Sequence, residues 1–97
     1  MPDEPHLLDT RGTILLNLPD RLADAKKDFE RLLELLPADT SQQAKALLQL
    51  GRICAKLNDL DQAKYHLNKA LEIDRKINVF TPDERSEIVR IIKNNGL

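Results

Sequence analysis

The sequence predicts an all-α domain of five helices, paired as antiparallel hairpins. Three observations predict it. Pro2, Pro5, Pro19, Pro37 and Pro82 cut the 97-residue chain into segments of helical length, as suits a residue that starts or stops helices. Within the segments, apolar residues return at three- and four-residue steps, the period of one helix face. No segment reads as a convincing strand, and the turns inside the first two helix pairs are short enough to make antiparallel hairpins.

The first helix is expected from about His6 to Leu18, with Leu7, Leu8, Ile14, Leu15 and Leu18 as its apolar residues. Asn17-Leu18-Pro19-Asp20 reads as a turn. A second helix runs from about Asp20 to Leu36, where Leu22, Ala25, Phe29, Leu32, Leu33 and Leu36 form a stripe and Asp, Lys and Arg take the other side. Pro37 to Ser41 is a loop in which Asp39, Thr40 or Ser41 serves as N-cap. The third helix, about Ser41 to Leu57, sets Ala44, Leu47, Leu50, Gly51 and Cys54 on one side. Asn58-Asp59 turns the chain, with Asp59 as a cap, into a fourth helix from about Leu60 to Ile77. Its expected buried residues are Ala63, Leu67, Ala70, Leu71 and the Ile73–Ile77 segment. Thr81-Pro82-Asp83-Glu84 has the form of a capping box, with proline at the first helical position and glutamate two residues on. It opens a last helix carrying Ile88, Val89, Ile91 and Ile92, which Asn95-Gly96 stops.

Composition narrows the function. A net charge of -1 from 15 basic and 16 acidic residues lacks the basic excess of a nucleic-acid module. Hydrophobic residues at 41% with 32% charged describe a soluble globular chain, not a disordered one. With aromatics at 3%, the core has to be built from Leu, Ile and Ala. No stretch approaches a membrane span, and the acidic start Met1-Pro2-Asp3-Glu4-Pro5 is unlike a signal peptide. The single Cys54 excludes an internal disulfide, so a reducing, cytoplasmic setting is expected.

An internal repeat organises the chain. Leu8-x3-Gly12 aligns with Leu47-x3-Gly51, and Ala25-x3-Phe29 with Ala63-x3-Leu67, followed by Leu32 against Ala70. The first unit carries one extra residue in the Leu18–Leu22 turn, a surface position that tolerates it. On these residues the chain resembles the tetratricopeptide repeat family, whose pattern is a large apolar residue, glycine and an aromatic on the first helix, then alanine, aromatic, alanine and proline along the second. Leu8-Gly12-Leu15-Ala25-Phe29-Leu32-Pro37 and Leu47-Leu50-Gly51-Cys54-Ala63-Leu67-Ala70 follow it, with Asp74-Arg75 where Asp-Pro is usual. The resemblance implies a right-handed superhelical stack: a single domain over 1–97 with repeats at 6–38 and 41–78 and a closing helix at 81–94. Leucine at Leu8, Leu47 and Leu15 and cysteine at Cys54 replace the family's aromatics and thin the packing. Because stacked repeats need about three units for stability, the chain is expected to be the C-terminal part of a longer array; self-association is the alternative. Leu7, Ile14 and Leu18 are the residues expected to meet an upstream repeat or a copy.

No catalytic residues are expected. Neither His6 nor His66 has a sequence relation to Cys54 that suggests a base for a nucleophile, so Cys54 reads as a small buried hydrophobe. One cysteine and two distant histidines give no zinc pattern. Asp59 and Asp61 lack the glycine and closing glutamate of a calcium loop, and Gly12, Gly51 and Gly96 are too isolated to cradle phosphate. No metal or cofactor is therefore assigned. The carboxylates Asp20, Asp24, Asp28, Glu84 and Glu87 are expected on solvated helix faces.

One polar pattern stands out. Lys45, Gln49, Arg52 and Lys56 recur along the third helix at steps of four, three and four, opposite Leu47 and Cys54. The resemblance implies that the first helix of each repeat lines a concave peptide-binding groove, with Asp9, Thr13, Leu16 and Asn17 as the matching positions of repeat one. Arg85 or Arg90 would extend its floor. This lining suits an acidic peptide; the competing reading is that the stripe only keeps the helix soluble. A family subclass grips acidic chaperone tails with Lys and Asn side chains. Asp9, Thr13 and Gln49 depart from that set, so its specificity does not carry over. The expected function is a non-catalytic scaffold or adaptor with a protein or peptide partner and no nucleic-acid or membrane partner. The alternatives are a self-associating module and a regulatory segment of a larger enzyme. On this reading, Arg52→Glu is expected to leave the melting temperature unchanged.

Overall fold

The structure is a computed structural model that describes Ile14 and residues 18–94. Among these residues it is all-helical: a 3-10 turn at Pro19–Arg21, then α1 (Leu22–Leu35), α2 (Ser41–Lys56), α3 (Leu60–Ile77) and α4 (Pro82–Asn94). That makes four helices where the sequence predicts five. The expected first helix at about 6–18 lies outside the described residues except for Ile14 and Leu18, and so does the Asn95-Gly96 stop.

Local chemistry explains each boundary. The residue before a proline is pushed toward extended geometry, and Leu18 (φ -109, ψ 110) and Leu36 (φ -92, ψ 143) both comply. As a result, α1 starts later than Asp20, after the 3-10 turn, and ends at Leu35. Of the three candidate caps for α2, Thr40 serves, accepting from the Gln43 N–H at 3.2 Å while the Gln43 side chain accepts from the Asp39 N–H at 2.8 Å. Asp59 caps α3 through the Gln62 N–H at 3.4 Å. At α4, Thr81 and Glu84 bond each other's backbone N–H at 3.2 and 2.9 Å, a reciprocal capping box. Asp39, Asn58 and Asn78 hold the left-handed conformation (φ 58, 65 and 57) in the three connections. Asn and Asp bear that conformation better than other side chains carrying a Cβ.

The core forms around α2, which packs on α1 and α3 at once. Toward α1 it contributes Ala46, Leu50 and Ile53 against Ala25, Phe29 and Leu32. Toward α3 and α4 it contributes Ala44, Leu47 and Leu48 against Leu67, Ala70, Ile73, Phe80 and Ile88. Burial on two sides is why α2 hides more residues than a single apolar stripe predicts. Gly51 lies where α2 meets α3: a Cβ built there would stand 2.3 Å from Leu67 Cδ2, so only glycine allows this approach.

Some expected core positions move outward. Leu71, Ile91 and Ile92 are half-buried, while Ile77 and Val89 are exposed. Leu71 lies off the Ala63-Leu67-Ala70-Ile73-Asp74 face, whereas Ile77 continues it but is the last residue of the helix. Asp28 moves the other way and is buried, because its place between Ala25 and Leu32 puts it on the apolar stripe itself.

A buried carboxylate fastens the α3–α4 connection. Asp74 accepts from the backbone N–H of Val79 and Phe80, both at 2.8 Å, and from Arg85 Nε at 2.6 Å and Nη2 at 3.1 Å. Arg85 also donates to the Asn78 side-chain oxygen. The Arg85 bond and the two backbone donors outweigh the burial penalty and hold the Asp74 pKa down to about 2.

Candidate functional site

With two faces of α2 buried, one strip remains outward, and it carries the four polar residues singled out in the sequence. Lys45 and Lys56 are exposed at its two ends; Gln49 and Arg52 are half-buried between them. Among the described residues neither lysine has an ion-pair partner. Thr13 and Asn17, with Asp9 and Leu16, lie outside the described residues.

Arg52 is engaged within the chain. Its Nε and Nη2 donate to Glu87 Oε2 at 2.8 Å and Oε1 at 2.6 Å, a two-pronged pair across α2 and α4, and its Nη1 donates to Gln49 Oε1 at 3.1 Å. Each side chain of the pair is only about a quarter exposed, at 28% and 27%. Hydrogen bonding between the partners raises the Arg52 pKa and lowers that of Glu87, so the pair stays ionised. Sequence reasoning placed Glu87 among the solvated carboxylates and missed this role. The available signal was the position of the last helix, whose first turns would have to face the preceding α2.

Arg85 does not extend the floor of this strip, because its guanidinium is tied to Asp74 and Asn78. Arg90 is exposed, and its charge helps to lower the Glu87 pKa.

Elsewhere, Cys54 is buried in the core and burial pushes its thiol pKa up, which disfavours the reactive thiolate. His66 lies beside a cavity of about 370 Å³ that is also lined by Leu33, Asp39, Gln43 and Lys69. Both its ring nitrogens are buried without a hydrogen-bond partner among the described residues, and burial lowers its pKa. No group of three or more His, Cys, Asp or Glu side chains among the described residues is arranged to hold a metal ion.

The backbone framework is two helices of a hairpin in close contact through Gly51, preceded by a further second-type helix, α1. The family model of the tetratricopeptide repeat matches residues 8–76. The chain belongs to the tetratricopeptide repeat family. The match spans most of both predicted repeats and stops before α4. No curated protein and no solved structure matches the chain. Membership marks the chain as a protein-interaction scaffold. Among the described residues, no helix is long and apolar enough to cross a membrane.

Proposed function

We propose that this chain is a non-catalytic adaptor module that binds an acidic segment of another protein along the outward strip of α2, in a cytoplasmic setting. The observation that carries the reading is the strip itself. Two faces of α2 are closed by the core, and the open one presents Lys45 and Lys56 without partners among the described residues. In this reading residues 1–97 form one domain of solenoid type, and α4 is its closing helix. The polar outer side of α4, with Asp83, Ser86, Arg90 and Lys93 exposed, suits a helix that ends a stack.

The test is fluorescence anisotropy with an acidic and a charge-neutral peptide of equal length, for the wild type beside Lys45→Glu/Lys56→Glu. Wild type is expected to prefer the acidic peptide, with a preference that weakens as salt rises and disappears in the double variant. Equal affinity for both peptides would overturn the reading.

A second reading, joining to further repeats or to a second copy, is favoured by the exposure of Ile14 (59%) and Leu18 (46%). Concentration-dependent mass in sedimentation, abolished by Ile14→Glu/Leu18→Glu, would support it.

A further inference from the structure

We propose that Glu87 sets the charge pattern this strip rewards: it pairs with the Arg52 guanidinium as an in-chain carboxylate, so an acidic partner engages Lys45 and Lys56 and gains nothing from a further charge between them. This deepens the function proposed above and rests on it.

The geometry supplies the argument. Of the five N–H groups of a guanidinium, the Nε and Nη2 edge of Arg52 is taken by both Glu87 oxygens at 2.8 and 2.6 Å. The next donor, Nη1, is taken by Gln49. A partner carboxylate arriving here would either displace Glu87 or share the remaining Nη1 and Nη2 N–H groups beside it, and either way two carboxylates would meet one cation. That exchange gains little, because one charge-assisted pair replaces another. With about a quarter of each side chain exposed, the pair is shielded yet reachable, so its occupancy bears directly on what can bind.

The lysines at the ends are different. They stand on the same helix face, three turns apart, about 16 Å along the axis at 1.5 Å per residue. An extended segment covers about 13 Å in four residues, its side chains at i, i+2 and i+4 point to one face, and the long lysine side chains make up the remainder. The partner is therefore an extended segment with two acidic side chains four positions apart and a residue midway between them, on the same face, that needs no charge.

Three peptides test this. One carries Asp at two positions four apart with Asn midway between them, one has Asp midway as well, and one is neutral throughout. Affinities are measured for wild type, Glu87→Gln and Arg52→Gln/Glu87→Gln. Glutamine retains an acceptor for Arg52, and a thermal melt of each variant reports whether it folds. If Glu87→Gln unfolds, Glu87→Met repeats the comparison with the side-chain volume kept.

In wild type the central Asp is expected to change the Kd by less than about twofold. In Glu87→Gln it is expected to tighten binding about tenfold, the size of one charged hydrogen-bonded contact, and the Arg52→Gln/Glu87→Gln variant loses that gain. The proposal is overturned if the central Asp helps wild type as much as Glu87→Gln, or if it helps neither while both prefer the two-Asp peptide to the neutral one. Failure of every acidic peptide to outbind the neutral one refutes the acidic-partner function itself.

Discussion

Replacing Asp74 by asparagine changes one oxygen for an NH2 group and tests the fastening of α4. Asparagine retains an oxygen for the Val79 and Phe80 N–H groups, but its NH2 faces the Arg85 guanidinium, donor against donor. The native carboxyl titrates at about 2 against an ordinary 3.8. At about 1.4 kcal/mol per pKa unit, ionised Asp74 contributes roughly 2 kcal/mol at neutral pH. Solvent screening at the partly exposed Arg85 makes that an upper value. For a chain of this size the loss corresponds to a fall of about 8–16 °C in melting temperature.

The sign of the pH dependence follows from the direction of the shift. The folded pKa lies below the unfolded one, so the stabilisation is complete above about pH 4 and fades as pH falls from 3.8 toward 2. Urea unfolding of wild type and Asp74→Asn at pH 7, 5, 3 and 2.5 reads the difference between them. It should be about 1–2 kcal/mol at pH 7 and 5 and shrink at the two lower values. A difference below about 0.5 kcal/mol at pH 7, or one that stays constant down to pH 2.5, would refute the assignment of Asp74 as an ionised anchor.

Gly51→Ala should cost about 1–3 kcal/mol through overpacking against Leu67, and Leu67→Ala in the same chain should recover part of it in a double-mutant cycle of melts. Stability should decline as pH falls below about 6.5, because the unfolded chain protonates His66 while the buried ring resists. His66→Leu should flatten that slope in urea unfolding between pH 7 and 5. Arg52→Glu should lose about 1–2 kcal/mol by setting a carboxylate against Glu87, and Arg52→Glu/Glu87→Arg should restore most of it in thermal melts.

The repeat was legible because it is written in residues whose roles are local or steric. Alanines at 25, 63 and 70 and Gly51 mark close helix approach, and Thr81 with Glu84 closes a cap within four residues. The polar strip was legible for the same reason, since a helix face is a matter of spacing. Its electrostatics were not. Arg52 and Glu87 are separated by most of two helices, and nothing in a local window tells a carboxylate paired across the fold from one in water. The structure revises the Arg52→Glu expectation on that point, since it makes Arg52 half of a bridge. Asp74 was expected within the buried Ile73–Ile77 segment and is buried, but for a polar reason that spacing does not reveal: four donors converge on it. Glu87 and Asp74 thus hold the last helix, and both needed coordinates to be found.

The position of α2 between its neighbours also ranks the helices by how readily they open. Its backbone amides can exchange with solvent only when the layers on both sides have parted, so they should be the slowest in the molecule to pick up deuterium. At the other extreme is α4, attached through Ile88 and two guanidinium–carboxylate ties. Added salt weakens such ties, partly buried ones less than exposed ones, while it does not weaken apolar packing. Salt should therefore quicken deuterium uptake in α4 well before it touches α2, and the chain would loosen from its rim inward.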